Sequence, residues 1–274
     1  MTTFRRNPAT MPFEPYVKYN IPEPTEPVGP FDPWHPTGHG FLYNFFAVQD
    51  ARKVAPNGWE VWDDDAVNNL VAELKSLNPA DTYPLGAGNR TGKKMNSPWK
   101  RNVEGFPGWV NFLYQPNNAG HLFFTPTGRR VGINGEFEVE GQHCYLWIDR
   151  TITLGGQSPY DSPYYLITFR NVESLTYRYI TGRHRKVKNY GRGIRCYMAK
   201  DREEKNLDTG TLTDIDNNIY KYVVWGDYRY MMENLKTTHY RNGDPITHIT
   251  NNNTWASATA GAFCEYNNNA HYVG

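Results

Sequence analysis

The chain has no apolar run approaching the roughly 20 residues that a bilayer requires, which excludes a helical membrane span. Cysteine is nearly absent: Cys144, Cys196 and Cys264 are the only three in 274 residues. An odd count at scattered positions makes a poor disulfide framework and fits a reducing compartment. A dominant charge is missing too. Lys and Arg together number 29 and Asp and Glu 28, for a net charge of +1, so no global field favours nucleic acid as a partner. The opening residues, Met1-Thr2-Thr3-Phe4-Arg5-Arg6-Asn7-Pro8, have no apolar stretch behind their arginines. They do not read as a secretory signal, and the expectation is a protein made and kept inside a cell or released by lysis. Catalytic patterns are also lacking: there is no Ser/His/Asp order, no His-x-x-x-His pair and no phosphate-binding glycine loop. The eight histidines, among them His121, His143 and His184, are scattered. No enzymatic activity, cofactor or metal is expected.

Aromatic residues, by contrast, are abundant, with 20 Tyr, 13 Phe and 8 Trp, alongside 24 Gly and 19 Pro. That mixture suits a strand-based, loop-rich recognition domain, and the length allows a core that needs no disulfide staples. Nine of the 19 prolines fall within residues 1–39. Fixed φ and missing N–H donors make such a segment an extended arm and not part of a packed core. Its aromatics, Phe4, Phe13, Tyr16, Tyr19, Phe31 and Trp34, are the residues expected to dock on a neighbour, and the segment reads as an assembly arm.

One helix is clear, from Asp64 to Leu77, where Val67, Leu70, Val71, Leu74 and Leu77 recur at helical spacing. Asp63 is its natural cap, and Asn78-Pro79 ends it. Strand patterns follow at 110–114, 121–124, 137–139, 144–148, 164–169, 175–180 and 193–198. A hairpin is expected near the end, where Asp216-Asn217-Asn218 supplies turn chemistry before the alternation from Ile219 to Val224.

That last stretch carries a family resemblance. Asp214, Asp216, Asn218 and Tyr220, then Met232, Asn234, Leu235, Lys236, Thr237 and Thr238, then Asn242, Gly243 and Ile246, then Trp255, Ala256, Cys264, Tyr266 and Asn267 resemble the opening of the Fibrobacter-type major paralogous domain (FISUMP). Asn217 replaces the turn glycine and Tyr230 a tryptophan. The continuation of the family pattern lies at the other end of the chain, in Gly40-Phe41-Leu42-Tyr43-Asn44-Phe45-Phe46-Ala47-Val48 and Ala55-Pro56-Asn57-Gly58-Trp59-Glu60-Val61. It runs on through Gly120, Gly128-Arg129-Arg130, Asn134-Gly135-Glu136-Phe137 and Leu146-Trp147 to Tyr190-Gly191-Arg192-Gly193-Ile194-Arg195-Cys196. The resemblance implies an α+β, C-type lectin-like domain whose two parts, 40–200 and 209–274, occur in swapped order around a polar linker at 201–208. Circular permutation, completion of a neighbour by domain swapping, and truncation in a second copy all fit that order.

Basic and aromatic residues interleave between Arg170 and Arg195. Tyr177, Arg178, Tyr179, Arg183, His184, Arg185, Lys188 and Tyr190 are the candidate ligand-binding set, with Lys186 and Arg192 beside them. A solvated hairpin face accounts for the same residues; the resemblance places them on the family's ligand-facing loops. Asp214, Asp216 and Asn218 have the alternating oxygens of a calcium loop, but no bidentate glutamate follows where an EF-hand needs one, and a hairpin turn explains them. The lectin calcium and sugar motif is missing, and Gln115-Pro116-Asn117 is its nearest echo. Formylglycine-generating enzymes share this fold class, and they would require Cys196 and Cys264 to form an active pair. Together these features lead us to expect a non-enzymatic bacteriophage virion protein, a fibre, spike or head-decoration subunit. It is expected to be homo-oligomeric, joined to other virion proteins by its arm, with a host-surface glycan or protein as ligand. A bacterial carbohydrate- or protein-binding module is the alternative.

Overall fold

The computed structural model describes residues 38–76, 95, 118, 120–153, 161–169, 172–179 and 187–274, with backbone alone for 75, 151–153, 161–169 and 172–179. Backbone contacts divide the chain into residues 1–35 and 36–274, and the described elements all belong to the second unit. The expected strand at 110–114 and the arm aromatics Phe4, Phe13, Tyr16, Tyr19, Phe31 and Trp34 lie outside the described residues.

Strand β1 (Leu42–Tyr43) runs into a short helix, α1 (Phe45–Gln49). Asn44 starts it by accepting the Ala47 N–H at 3.2 Å, which satisfies one of the amides a helix leaves unpaired at its N-terminus. After β2 (Glu60–Val61) comes α2 (Asp64–Ser76). Its cap is Asp63, which accepts the Ala66 N–H at 2.9 Å, and Ala66, Val67, Leu70 and Leu74 form its buried stripe. Next in order are β3 (Arg129–Arg130), β4 (Phe137–Glu138), β5 (His143–Thr153), β6 (Asp161–Phe169), β7 (Val172–Tyr179) and β8 (Cys196–Ala199). The last part of the chain holds β9 (Thr209–Thr213), β10 (Ile219–Trp225), β11 (Tyr228–Met231), β12 (Thr247–His248), a third helix α3 (Asn252–Ala256) and β13 (Ala262–Cys264).

The architecture is mixed α/β, rich in strands and poor in helix. Five strands in the order β2-β8-β11-β10-β9 form an antiparallel sheet, β5-β6-β7 an antiparallel meander, β3 and β4 a pair, and β1-β13-β12 a small mixed sheet. Within this chain, residues before 200 pair with residues after 209. Leu42 registers with Cys264, and Tyr197 with Tyr230. The packing follows the same interleaving: one cluster joins Tyr43, Phe45, Trp59 and Trp147 to Tyr220 and Phe263, and a second joins Trp62, Leu70 and Leu146 to Val223, Trp225 and Tyr230. No described helix is long and apolar enough to cross a membrane.

The two ends of this unit meet. His39 N–H donates to the Tyr272 carbonyl at 2.6 Å and Gly40 N–H to that of Val273 at 3.3 Å. A β-carbon on Gly38 would lie 2.3 Å from the Val273 carbonyl carbon, so only glycine permits this approach.

Four expectations need correction. Residues 121–124 are not a strand, because His121 and Phe123 take positive φ of 53° and 47°, which breaks an extended run. Strand β8 begins at Cys196 and not at Gly193. The residues before it make single bridges to separate segments, Gly191 to Arg130, Arg192 to Tyr43 and Gly193 to Leu146. The octet 201–208 is more than a polar connector. Arg229 holds it through Asp201 and through Glu204 at 2.8 Å, and Leu207 N–H donates to the Val224 carbonyl at 2.9 Å. Finally, α2 is joined by α1 and α3, each only five residues long and so too short to show helical periodicity.

Candidate functional site

Of the basic and aromatic residues chosen from the sequence, Tyr177, Arg178, Tyr179, Lys188 and Tyr190 are among the described residues. Tyr177, Arg178 and Tyr179 lie on β7, the edge strand of its meander. Tyr177 registers with Leu166 and Leu146, and Tyr179 with Tyr164 and Ile148, whereas Arg178 registers with Tyr165 and Trp147. Side chains alternate along a strand, so the two tyrosine positions share one face and Arg178 belongs to the other. Arg183, His184 and Arg185 lie outside the described residues. Lys188 sits in the 3-10 turn Val187–Asn189 and donates to Gln49 Oε1 at 2.8 Å. Tyr190 presents its ring to two guanidinium groups, Arg129 at 5.4 Å and Arg192 at 5.3 Å from its centroid.

Arg192, counted with the surface cluster on sequence, is 1 % exposed. Its guanidinium stacks on Tyr145 at 4.8 Å and Trp147 at 4.7 Å. Arg195 is equally buried. It donates to Asn234 Oδ1 at 2.7 Å, to the Leu122 carbonyl, and to the Phe123 carbonyl at 3.2 Å, and it packs on Phe124 at 4.5 Å. Burial lowers its pKa to about 10. A third buried arginine, Arg130, reaches the carbonyls of Gly135 at 2.8 Å, Ile249 at 2.5 Å and Thr250 at 2.7 Å and Asn252 Oδ1 at 3.0 Å. The rings of Phe137 and Trp255 lie 4.8 and 4.5 Å from it. A guanidinium is suited to this work because its planar fork presents five donors in fixed directions. These side chains tie loops to one another.

The Asp214–Tyr220 turn is closed in a comparable way. Asp214 Oδ1 accepts the N–H groups of Asp216 and Asn218, each at 2.9 Å, and Oδ2 accepts Asn218 Nδ2 at 2.9 Å and the Tyr220 hydroxyl at 2.6 Å. Asn217 takes the left-handed conformation, φ 64°, in place of a turn glycine. Among the described residues, no group of three or more His, Cys, Asp or Glu side chains is arranged to hold a metal ion.

Sequence reasoning missed the neighbouring cluster, in which Asp216 meets residues 21 to 23 positions away. Its Oδ2 accepts the Thr237 hydroxyl at 2.8 Å, the Thr238 N–H at 2.5 Å and the Thr238 hydroxyl at 3.0 Å, while Oδ1 faces His239 Nδ1. Burial pushes the carboxyl upward, but the bonds from Thr238, Thr237 and His239 outweigh it and leave the pKa below the ordinary value. The Asp-His contact resembles half of a catalytic triad. Yet both threonine hydroxyls donate to the carboxylate, and Thr238 Oγ1 lies 3.1 Å from the same imidazole nitrogen that faces Asp216. Among the described residues no hydroxyl bonds the far nitrogen, and these bonds make the cluster a clamp between the turn and the segment after β11.

The three cysteines are buried in three different clusters, Cys196 with Tyr43 and Trp147, Cys144 with Leu146 and Phe124, and Cys264 with Leu42 and Trp255. Burial raises the thiol pKa values of Cys144 and Cys264 to about 12 and that of Cys196 further. Cys196 and Cys264 therefore do not form the exposed pair expected of a formylglycine-generating enzyme. Neither a protein-family model, a curated protein nor a solved structure matches this chain.

Proposed function

We propose that this protein is a structural and recognition subunit of a bacteriophage particle, a fibre, spike or head-decoration protein, in which a lectin-like domain presents loops and strand edges while residues 1–39 attach it to its neighbours. One observation carries this proposal. Arg130 and Arg195 are turned inward to bind loop carbonyls, so polar groups that elsewhere act on a ligand here stiffen the frame behind the loops. Rigid loops on a braced frame lose little conformational entropy on binding, which favours contact with a partner surface. The FISUMP resemblance agrees with this role. It comes from the quoted residues, and the permuted arrangement is consistent with ends that meet at His39 and Tyr272.

The test is immunogold labelling of phage particles induced from the organism that carries the gene, using antibodies against the full-length chain. Regular gold on particles supports a virion subunit. Label confined to the bacterial surface would replace it with the bacterial binding module.

A further inference from the structure

Among the described residues the five-stranded sheet ends in an open edge at β9. Its ladder with β10 runs from Thr209↔Val223 to Thr213↔Ile219. Backbone bonds just beyond each end, Val224 N–H to the Asp208 carbonyl at 2.9 Å and Asp214 N–H to the Asn218 carbonyl at 3.1 Å, set the parity. In an antiparallel ladder alternate residues bond the same neighbour, so Gly210 and Leu212 bond β10, and Thr209, Thr211 and Thr213 turn their N–H and C=O groups outward. Among the described residues nothing pairs with that side. Natural edges are blunted by lysine, proline or bulges; Thr-Gly-Thr-Leu-Thr has no lysine or proline, and the one irregularity, Leu207 and Asp208 both opposing Val224, lies before the strand begins. The surroundings are unusual as well. Of the four large hydrophobic side chains exposed among the described residues, three flank this edge: Leu207 at 45 %, Ile215 at 47 % and Ile219 at 63 %. At one end of the strand, residues 201–208 carry four acidic groups against two basic ones, with Arg229 paired to Asp201 and Glu204, and at the other lie Asp214 and Asp216, bonded within the turn and to the segment 237–239.

We propose that the edge of β9 receives residues 16–21 of a neighbouring copy, Tyr16-Val17-Lys18-Tyr19-Asn20-Ile21, as an added strand. The assignment rests on residues 1–39 being an assembly arm, and it names the arm's receptor. This is the longest stretch between two prolines of the arm, bounded by Pro15 and Pro22. Every residue in it keeps its N–H, and Tyr, Val and Ile favour extended backbone. Alternation places Val17, Tyr19 and Ile21 on one face, matching the exposed isoleucines. Its only charge, Lys18, is opposite in sign to the acidic ends of the edge. Main-chain bonds hold such a strand, and alternate side chains select it. Six prolines between residues 22 and 36 make the connection a stiff spacer. At about 3.1 Å per residue it reaches about 45 Å, against a radius of gyration of about 18 Å for a domain of this size. A spacer of that length lets the segment reach the edge of another copy.

Because Cys144, Cys196 and Cys264 are buried, introduced thiols can be oxidised selectively in the full-length chain. Thr211→Cys protein is mixed with Val17→Cys, Lys18→Cys or Tyr19→Cys protein and oxidised, and mixed disulfides are expected at alternate arm positions. In parallel, the mass of full-length Thr211→Pro is compared with that of a full-length chain whose residues 16–21 are replaced by Gly-Ser repeats. Proline removes an outward N–H and leaves the side bonded to β10 intact, so the variant is expected to stay folded, with its dissociation midpoint raised at least about tenfold. The replaced chain should behave alike. Several outcomes would overturn the assignment: a disulfide formed by Thr211→Cys with itself, which would show edge-to-edge pairing of two copies, or a full-length protein that is monomeric at its highest soluble concentration. Loss of the oligomer in the replaced chain but not in Thr211→Pro would leave the arm standing and remove β9 as its receptor. Unchanged mass in both variants would remove the arm's assembly role as well.

Discussion

Arg130 is buried among carbonyl oxygens from two regions of the chain. A lysine there keeps the charge but loses the planar fork, leaving carbonyls without donors inside the core. Arg130→Lys is therefore expected to lower stability by about 2–4 kcal/mol, measured as a shift in the urea midpoint at unchanged slope. Asp216 gives a pH signature. Its carboxyl titrates below the ordinary value in the folded protein, so the unfolded chain takes up the proton first as acid is added. The stabilisation is complete above about pH 4, where the unfolded carboxyl is ionised, and is lost as the pH falls through the folded value. The melting temperature of the native protein should therefore fall more steeply in acid than that of Asp216→Asn, which at neutral pH should already be less stable by about 1–3 kcal/mol. Neither role was legible in the sequence. Arg130 follows another arginine, and such a pair looks the same whether it faces solvent or carbonyls; the partners of Asp216 are brought to it only by tertiary folding.

Among the elements, those governed by local chemistry were the legible ones. The apolar spacing from Val67 to Leu74 and the Asp63 cap identify α2 to within a residue of its end, and Asn217 marks the turn between β9 and β10 because asparagine tolerates positive φ. Helices α1 and α3 escaped because one and a half turns carry no period, and their caps are the only local signal. Asn251 accepts the Thr254 N–H at 3.0 Å at the start of α3. Asn251→Ala should cost about 1 kcal/mol, visible as a drop of a few degrees in melting temperature, with little change at a nearby exposed control such as Asn253→Ala. Residues 193–195, expected to open a strand, were misread for a different reason. Gly191 and Gly193 lack a β-carbon because Trp255 and Arg130 crowd the first and Asn234 and Leu146 the second, and a segment wedged between several neighbours does not keep the regular ladder its composition suggests.

For the whole molecule, the order of the two halves matters less than their interleaving. Residues 40–200 and 209–274 share both large packing clusters, and the start of the first lies against the end of the second. A rearranged chain in which Gly274 is joined to Gly38 by a short glycine linker, and which is opened between Glu203 and Glu204, is expected to fold to the same near-ultraviolet circular dichroism spectrum with one cooperative transition. A swapped arrangement would instead give an obligate dimer for the native chain and a monomer for the rearranged one. The strand-rich, helix-poor character, the clear helix and the final hairpin were accessible from pattern alone. The pairing of β1 with β13 and of β8 with β11 was not, since non-local register depends on packing that no short window contains.

The bonds from His39 and Gly40 to the carbonyls of Tyr272 and Val273 also have a mechanical consequence. A pull applied at residues 38–40 meets the backbone bonds that fasten them to residues 272 and 273. Such tension is therefore resisted from the first ångström by that clasp, and the strands on either side of it are strained only after it has opened.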